Sequence, residues 1–208
     1  MGAFLGISLW IALATVVPGL VTIAVVYGAN AVVGFGLFAP VQGADEWIWG
    51  SIGITVMVLT QALGILLEDL LVRLHLLGPA TRVIDIPEGI DPENQTQITV
   101  GPYDEYRGMY LLLAELSEND DAQGHLKRAL AQFFLTNNTL VSFTAGIVAT
   151  ILFMAMLRDA SWAGMIYIAV LILCLAVSFN VARIRFDVMT RCLWAARRSR
   201  ITREAKPQ

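Results

Sequence analysis

The apolar residues of this chain are gathered into four long stretches without charged side chains. They cover Met1–Gly43 (apart from the amino terminus), Trp47–Leu67, Ala129–Leu157 and Ala160–Ala182. A helix needs about 20 apolar residues to cross the hydrocarbon of a bilayer, which is about 30 Å thick. Each stretch is long enough, so the pattern predicts four transmembrane helices. A soluble bundle of four fully buried helices suits a chain of 208 residues poorly.

The first two spans carry signals that predict where their helices bend and end. The first span, Phe4–Tyr27, is interrupted by Pro18–Gly19, and backbone groups freed by proline need partners on neighbouring helices inside a membrane. The second span, Trp47–Leu67, keeps helical spacing of leucines as far as Leu77. Gly78–Pro79 then predicts the end of that helix, because glycine followed by proline commonly stops one.

The third and fourth spans are predicted to form a tight hairpin. One continuous helix is expected from Asn119 to Leu157, starting in water and ending across the membrane. Arg158–Asp159 form the minimal turn that follows it. Beyond the fourth span, Arg183–Arg203 alternates basic and apolar residues, a pattern typical of an amphipathic helix that contacts anionic headgroups.

The segment between spans two and three predicts a small cytoplasmic module. Arg82–Ile86 and Thr96–Val100 are short β-like runs that could pair as a hairpin. Asp104–Leu116 has the spacing of an amphipathic helix, whose apolar side is expected to pack on protein.

The predicted fold class is therefore an all-α integral membrane protein with four transmembrane helices, both termini cytoplasmic and a cytoplasmic helical module between spans 2 and 3. The predicted parts are a transmembrane hairpin with a cytoplasmic helix extension (residues 1–77), an acidic cytoplasmic module (78–118), a cytoplasmic-to-membrane helix with a second transmembrane hairpin (119–182) and a basic cytoplasmic tail (183–208).

Composition and charge support this topology. Hydrophobic residues make up 57% of the chain and charged residues 15%, against about 45–50% and about 25% in soluble proteins. Of the 14 basic residues, all but Arg158 lie between spans two and three or after span four. Because Lys and Arg are enriched in cytoplasmic loops, both regions are expected in the cytoplasm. The expected location is the cell membrane, which the chain crosses several times, and a bacterial inner membrane in particular.

Sequence motifs for catalysis are missing. The chain has no glycine-rich phosphate loop, no Gly-x-Ser-x-Gly elbow and no His-Glu-x-x-His pair. Its 2 cysteines and 2 histidines do not have the spacing of a zinc site. We therefore expect neither an enzyme nor a metal or cofactor site.

Polar residues inside the spans are the candidate functional residues. Asn138, Ser142, Gly146 and Thr150 recur every fourth residue and share one helix face. Small residues at this spacing usually mediate helix packing, which is the interpretation for Gly146 and Thr150. Strongly polar groups in spans often face a bundle interior or an aqueous path. The predicted pore or gate residues are Gln61, Glu68, Asn138 and Ser142.

Two functions are compatible with these patterns. The leading hypothesis is a homo-oligomeric membrane channel or pore-forming protein gated through its cytoplasmic module, because four helices alone enclose no wide channel. The alternative is a non-conducting membrane anchor or sensor subunit that docks a soluble cytoplasmic protein through residues 80–117. Expected partners also include membrane lipids of the anionic inner leaflet, and nucleic acid is not expected. The residues predicted to bind lipid or a partner are Arg191, Arg197, Arg198 and Arg200.

Overall fold

The computed structural model describes residues 2–38, 45–78, 82–85, 97–100 and 121–204. Four helices account for most of them, and each contains a stretch that is long and apolar enough to span a membrane. The expectation of a multi-pass membrane protein with four spanning helices is confirmed at this level. The helices are α1 (Gly2–Val33), α2 (Glu46–Arg73), α3 (Asp121–Leu157) and α4 (Trp162–Glu204).

Helix α1 is longer than the predicted span Phe4–Tyr27. It continues through small and apolar residues to Val33, and Gly34 follows with a φ of 72°. Glycine adopts this left-handed conformation without steric cost, so it is a common residue just after a helix.

Helix α2 ends at Arg73, so the prediction that it continues to Leu77 is wrong. His75 has a φ of 56°, the left-handed conformation that ends many helices. The N–H groups of His75 and Leu76 donate to the carbonyls of Val72 (3.1 Å) and Leu71 (3.0 Å), which is the Schellman pattern. Leu77 is buried all the same, in an apolar cluster that also contains Leu71 and Val72.

Helices α3 and α4 form the predicted hairpin around Arg158–Asp159. Arg158 has a φ of 53°, and its N–H and that of Asp159 donate to Ala155 (3.2 Å) and Met154 (3.1 Å). Helix α3 contains 37 residues and α4 contains 43 residues. The basic tail is therefore a direct continuation of span four as far as Glu204.

The predicted β-hairpin between spans two and three is confirmed in its core. Strand β1 (Arg82–Asp85) pairs antiparallel with β2 (Gln97–Val100), with Arg82 opposite Val100. Within the described residues, this two-stranded hairpin differs from the predicted all-α fold class. The helix predicted over residues 104–116 and its expected caps lie outside the described residues.

Helix α3 lies at the centre of the bundle and packs along α1, α2 and α4. We call the end of the bundle where α2 stops and α3 starts the polar end, and the end at Arg158–Asp159 the turn end. A buried apolar cluster joins α2, α3 and α4 near the polar end; it consists of Leu71, Val72, Leu77, Ala129, Phe133, Leu140, Ala182, Phe186 and Met189.

The outward sides of α2 and α4 are apolar and exposed. Large apolar side chains on these sides remain mostly exposed, for example Ile54, Leu66, Ile166 and Leu173. In water such a surface would be costly, since each exposed aliphatic side chain forfeits about 1.5–3 kcal/mol of burial. A lipid environment removes this cost, which is consistent with membrane-spanning helices.

Candidate functional site

The candidate site is built around Pro18, in the middle of α1. Proline has no N–H, so the carbonyl of Ala14, one turn earlier, loses its intrahelical donor. The side chain of Asn138 on α3 replaces that donor: its Nδ2 donates to the Ala14 oxygen at 2.8 Å. An amide from a neighbouring helix therefore satisfies the backbone group that Pro18 leaves open, as a membrane interior requires.

Gln61 of α2 joins the same set of hydrogen bonds. Its Oε1 accepts from Nδ2 of Asn138 at 2.6 Å and from the hydroxyl of Thr15 at 3.2 Å. Each of the three transmembrane segments α1, α2 and α3 thus contributes one polar side chain at this depth. The position of α2 depends on Gly64, where a Cβ atom would overlap the side-chain amide of Asn138.

A second set of hydrogen bonds lies one turn further along α1, around the carbonyl of Pro18. The hydroxyls of Ser142 and Thr22 lie 2.8 Å and 3.0 Å from this oxygen. Thr22 is also 2.9 Å from Ser142 and 3.0 Å from Thr60 on α2. Each hydroxyl has one proton to donate, so these distances describe alternative donor arrangements within one cluster.

We call these residues together the Pro18 clamp; they are Thr15, Thr22, Thr60, Gln61, Asn138 and Ser142. Asn138 and Ser142 are 1% and 0% exposed. Their polar atoms are directed at polar atoms of the same chain, an arrangement that stabilises helix association in lipid. The structure thus brings together three of the four predicted pore residues, and it brings them together as a packing contact.

Glu68, the fourth predicted pore residue, lies two turns from Gln61 towards the polar end. It is 1% exposed and lies on the buried side of α2 with Leu71 and Val72. It belongs to a different layer of the bundle from the clamp, next to the apolar cluster rather than the Pro18 carbonyl.

Gly146 and Thr150 lie further along the same face of α3. A Cβ on Gly146 would come within 2.9 Å of Val25 on α1 and of Leu171 on α4. The close approach of three helices at this level thus depends on the missing side chain. The Thr150 hydroxyl donates to the carbonyl of Gly146 at 2.7 Å, so this buried hydroxyl has its hydrogen-bond partner within its own helix.

The arginines predicted to bind lipid or a partner all lie on the last part of α4. Arg191 forms an exposed ion pair with Asp187, one turn earlier, at 2.7 Å. Exposed pairs of this kind contribute about 0.3–0.5 kcal/mol. Arg197, Arg198 and Arg200 follow on the same helix, and the described part of the chain does not include their side-chain contacts.

Sequence reasoning missed the contribution of α1 to the site. Thr15 and Thr22 are seven residues apart and share one face of α1 with Pro18, a spacing that would have marked a polar stripe. The prediction that the proline needs partners on other helices was made without naming them.

Asn137 was also missed. Its side chain is 0% exposed, and within the described part of the chain neither its Oδ1 nor its Nδ2 has a hydrogen-bond partner. It precedes Asn138 by one residue and therefore faces a different side of α3.

The described residues offer no group of three or more His, Cys, Asp or Glu side chains that could hold a metal ion. Comparison of the chain with models of protein families, with curated proteins and with solved structures finds no match.

Proposed function

We propose that this chain is a non-conducting membrane subunit, an anchor or sensor that docks a soluble protein through residues 80–117. The observation that carries the proposal is the Pro18 clamp. Gln61, Asn138 and Ser142, which a channel of this chain would need along its path, are hydrogen-bonded to α1 and to one another. Polar groups used in this way hold the helices together, so these three side chains are engaged with the bundle and are not turned towards a path for ions.

The docking segment is proposed from its position and charge. It joins α2 and α3 at the polar end, where it contains the β1–β2 hairpin. Residues 80–117 hold seven acidic and two basic side chains. A soluble protein with a basic surface fits this charge, and nucleic acid is repelled by it.

The bacterial inner membrane is proposed as the location, with both termini and residues 80–117 on the cytoplasmic side. The positions of Lys and Arg support this orientation, because Arg158 is the one basic residue at the turn end and the other 13 fall on the opposite side.

A flux measurement tests the non-conducting part of the proposal. The purified full chain is reconstituted in liposomes loaded with a pH-sensitive dye, and a potassium gradient with valinomycin drives charge movement. We expect no proton or cation flux above that of empty liposomes, with gramicidin as the positive control. Flux that depends on the protein and is lost in Glu68→Gln would overturn it.

A binding measurement tests the docking part. Proteins captured by the full chain in nanodiscs are purified and bound again to the wild type and to Asp104→Lys/Glu105→Lys. We expect binding to fall about tenfold in the variant and to weaken with salt, as attraction between charged surfaces does. The matched control is Asp45→Lys/Glu46→Lys at the turn end, which should leave binding unchanged. Equal binding by the docking variant would contradict the proposed segment.

The gated homo-oligomeric channel remains the second candidate because of Glu68. A carboxyl group that is 1% exposed in a helix of this kind is uncommon, and ionisable groups in spans often mark ion or proton paths. The exposed apolar sides of α2 and α4 could also contact further copies of the chain. The flux experiment separates the two candidates directly.

A further inference from the structure

Near the polar end, α2 and α4 carry the same alternation of charged and apolar residues, with the charges in opposite order. Residues 69–74 of α2 read DLLVRL, and residues 183–188 of α4 read RIRFDV. In the first stretch an acidic residue precedes a basic one by one helical turn, and in the second the basic residue comes first. Because residues four apart share a helix face, each helix carries a stripe of two opposite charges.

The side chains of these two stripes are directed away from their own bundle. The charged ones all reach the surface; they are Asp69, Arg73, Arg183 and Asp187. The apolar residue after each of them is exposed as well; these are Leu70 (51%), Leu74 (56%), Ile184 (61%) and Val188 (37%). Both stretches therefore offer a mixed charged and apolar surface to the surroundings.

The packing of the bundle places both stretches at the same depth. Gly64 of α2 lies against Asn138 of α3, so Leu70, six residues towards the polar end, is level with Gln132. Oε1 of Gln132 accepts from Nη1 of Arg185 on α4 at 2.9 Å, so Leu70 is level with Arg185 too. Helices α2 and α4 are both antiparallel to α3 and run in the same direction, which keeps their residues level along both stretches.

Opposite charges on the two helices consequently share a level. Asp69 lies within one residue of the level of Arg183, and Arg73 lies within one residue of the level of Asp187, which is about 1.5 Å along the axis. Within one bundle, α2 and α4 each pack on α3 rather than along each other. The outward stripes are therefore placed to meet between two copies of the chain.

We propose that the outward face of α2 in one copy of this chain binds the outward face of α4 in a second copy. Asp69 pairs with Arg183 of the second copy, and Arg73 pairs with its Asp187. The Asp187 carboxylate already accepts from Arg191 of its own helix at 2.7 Å, and a carboxylate has acceptor capacity for a second arginine.

The apolar residues of both stretches flank the charged contact. When two parallel helices face each other, the residues after the charges lie on opposite sides of the contact: Leu70 and Leu74 on one side, Ile184 and Val188 on the other. Apolar side chains in these positions exclude water from the ion pairs, which strengthens the attraction between the charges.

The depth of the contact indicates what covers its apolar residues. Trp162 marks the turn end, and Arg183 lies about 32 Å from it along α4, close to the end of about 30 Å of hydrocarbon. Val188 and Leu74 lie beyond that level, where lipid tails do not reach. A second copy removes their apolar surface from water, which is favourable.

Exposed alanines continue both stripes into the membrane. Ala62 precedes Asp69 by seven residues, Ala176 precedes Arg183 by seven residues, and both alanines are exposed. Seven residues are close to two turns, so each alanine lies on the face of its charged stripe. Small residues let the backbones of membrane helices approach closely, and the register above places the two alanines within one residue of the same level.

The contact joins two different surfaces and is therefore heterologous. Repeated by rotation about the membrane normal, it closes into a ring of copies. It uses the outward faces of α2 and α4, whereas the Pro18 clamp lies inside each bundle. The inference thus goes beyond the proposed anchor or sensor function and is independent of whether residues 80–117 dock a soluble protein.

Disulfide cross-linking between two copies tests the contact in membranes. In a background with Cys174→Ala and Cys192→Ala, a copy with Ala62→Cys is expressed together with a differently tagged copy with Ala176→Cys and oxidised with copper phenanthroline. We expect a cross-linked pair that carries both tags. The matched control replaces Ala176→Cys by Ala169→Cys, an exposed alanine on α4 that lies about 12 Å from the level of Ala62, and should give no such product.

Charge reversal tests whether the stripes recognise each other. Asp69→Arg/Arg73→Asp in the first copy brings like charges together at both levels and should lower the cross-linked fraction about tenfold, the effect of two surface ion pairs made repulsive. Adding Arg183→Asp/Asp187→Arg to the second copy restores opposite charges and should restore the cross-link.

Three results would overturn the proposal. The first is cross-linking of Ala62→Cys with Ala176→Cys that does not exceed the Ala169→Cys control. The second is a cross-link that charge reversal leaves unchanged or that the paired reversal does not restore. The third is efficient cross-linking of Ala176→Cys copies with each other, which would show that α4 binds α4 across a two-fold axis.

Discussion

Asn138 compensates in α3 for a hydrogen bond that Pro18 removes from α1. Replacing it with alanine leaves the carbonyl of Ala14 buried without its donor and also removes the bond to Gln61. We expect Asn138→Ala to lower the free energy of unfolding by about 1–2 kcal/mol. Equilibrium unfolding in mixed detergent and dodecyl sulfate micelles measures this change.

A double-mutant cycle shows whether the proline is the cause. In a Pro18→Ala background, residue 18 regains an N–H for Ala14, so Asn138→Ala should cost about 1 kcal/mol less. Asn180→Ala is the matched control, because the Asn180 amide is exposed and donates to the carbonyl of Ala176 on its own helix. Equal costs in both backgrounds would show that Asn138 acts independently of Pro18.

Asn137 presents the opposite situation at the next position. Its amide is buried, and neither polar atom is paired within the described residues. A buried unsatisfied group costs about 1–3 kcal/mol. We expect Asn137→Leu, which has the same branched shape and the same number of side-chain heavy atoms, to raise the free energy of unfolding by about 1 kcal/mol in the same assay. A clear loss of stability would show instead that the amide binds a group that stabilises the fold.

At the scale of elements, helix ends are fixed by short backbone motifs more than by the nearest glycine or proline. Helix α2 stops at Arg73 through the left-handed conformation of His75, ahead of Gly78–Pro79. The helical spacing of leucines as far as Leu77 predicted a longer helix, and that prediction is wrong. Leu77 is buried without being helical, whereas Leu74 is 56% exposed, so the spacing of apolar residues alone does not locate the helix end.

Gly146 sets the distance between three helices. A side chain there would meet Val25 of α1 and Leu171 of α4 at 2.9 Å. We expect Gly146→Leu to lower the free energy of unfolding by about 1–3 kcal/mol, the usual cost of overpacking, even though leucine favours helix more than glycine does. Unfolding in mixed micelles measures it.

Gly50→Leu is the control for that substitution. It lies in α2, and a Cβ there would meet nothing within 4 Å. The gain in helix propensity should leave this variant as stable as the wild type or more so. Similar losses at both positions would show that leucine disturbs the helices without regard to packing.

At the scale of the whole molecule, the number of spans determines which ends face the same side. In a background with Cys174→Ala and Cys192→Ala, single cysteines replace Asp159 at the turn end and His125 at the start of α3, both exposed residues. We expect a membrane-impermeant maleimide to label Asp159→Cys in intact cells and His125→Cys only after permeabilisation, as the distribution of Lys and Arg predicts.

The reverse labelling pattern would show that the chain has the opposite orientation in the membrane. Labelling of both variants in intact cells would contradict the four-span arrangement, because α3 must then fail to cross the membrane.

Much of the architecture could be read from the sequence because it depends on local properties. Four charge-free stretches, the Arg158–Asp159 turn and the β-like runs around residues 82–100 each act within a few residues of the chain. The same reasoning found Gln61, Asn138 and Ser142, because polar residues are conspicuous in apolar helices. It predicted them as pore or gate residues and named none of their contacts, because nothing local shows what lies opposite them.

The sequence alone determined that this chain has four helices long and apolar enough to span a membrane, since that property requires only length and the absence of charge. Only the tertiary structure decided which groups the polar residues contact. Asn138 meets Ala14 and Gln61 across 124 and 77 residues of chain, and such a meeting follows from how the helices pack. Because a membrane interior leaves no backbone group unsatisfied, the proline in α1 and the amide in α3 became parts of one contact.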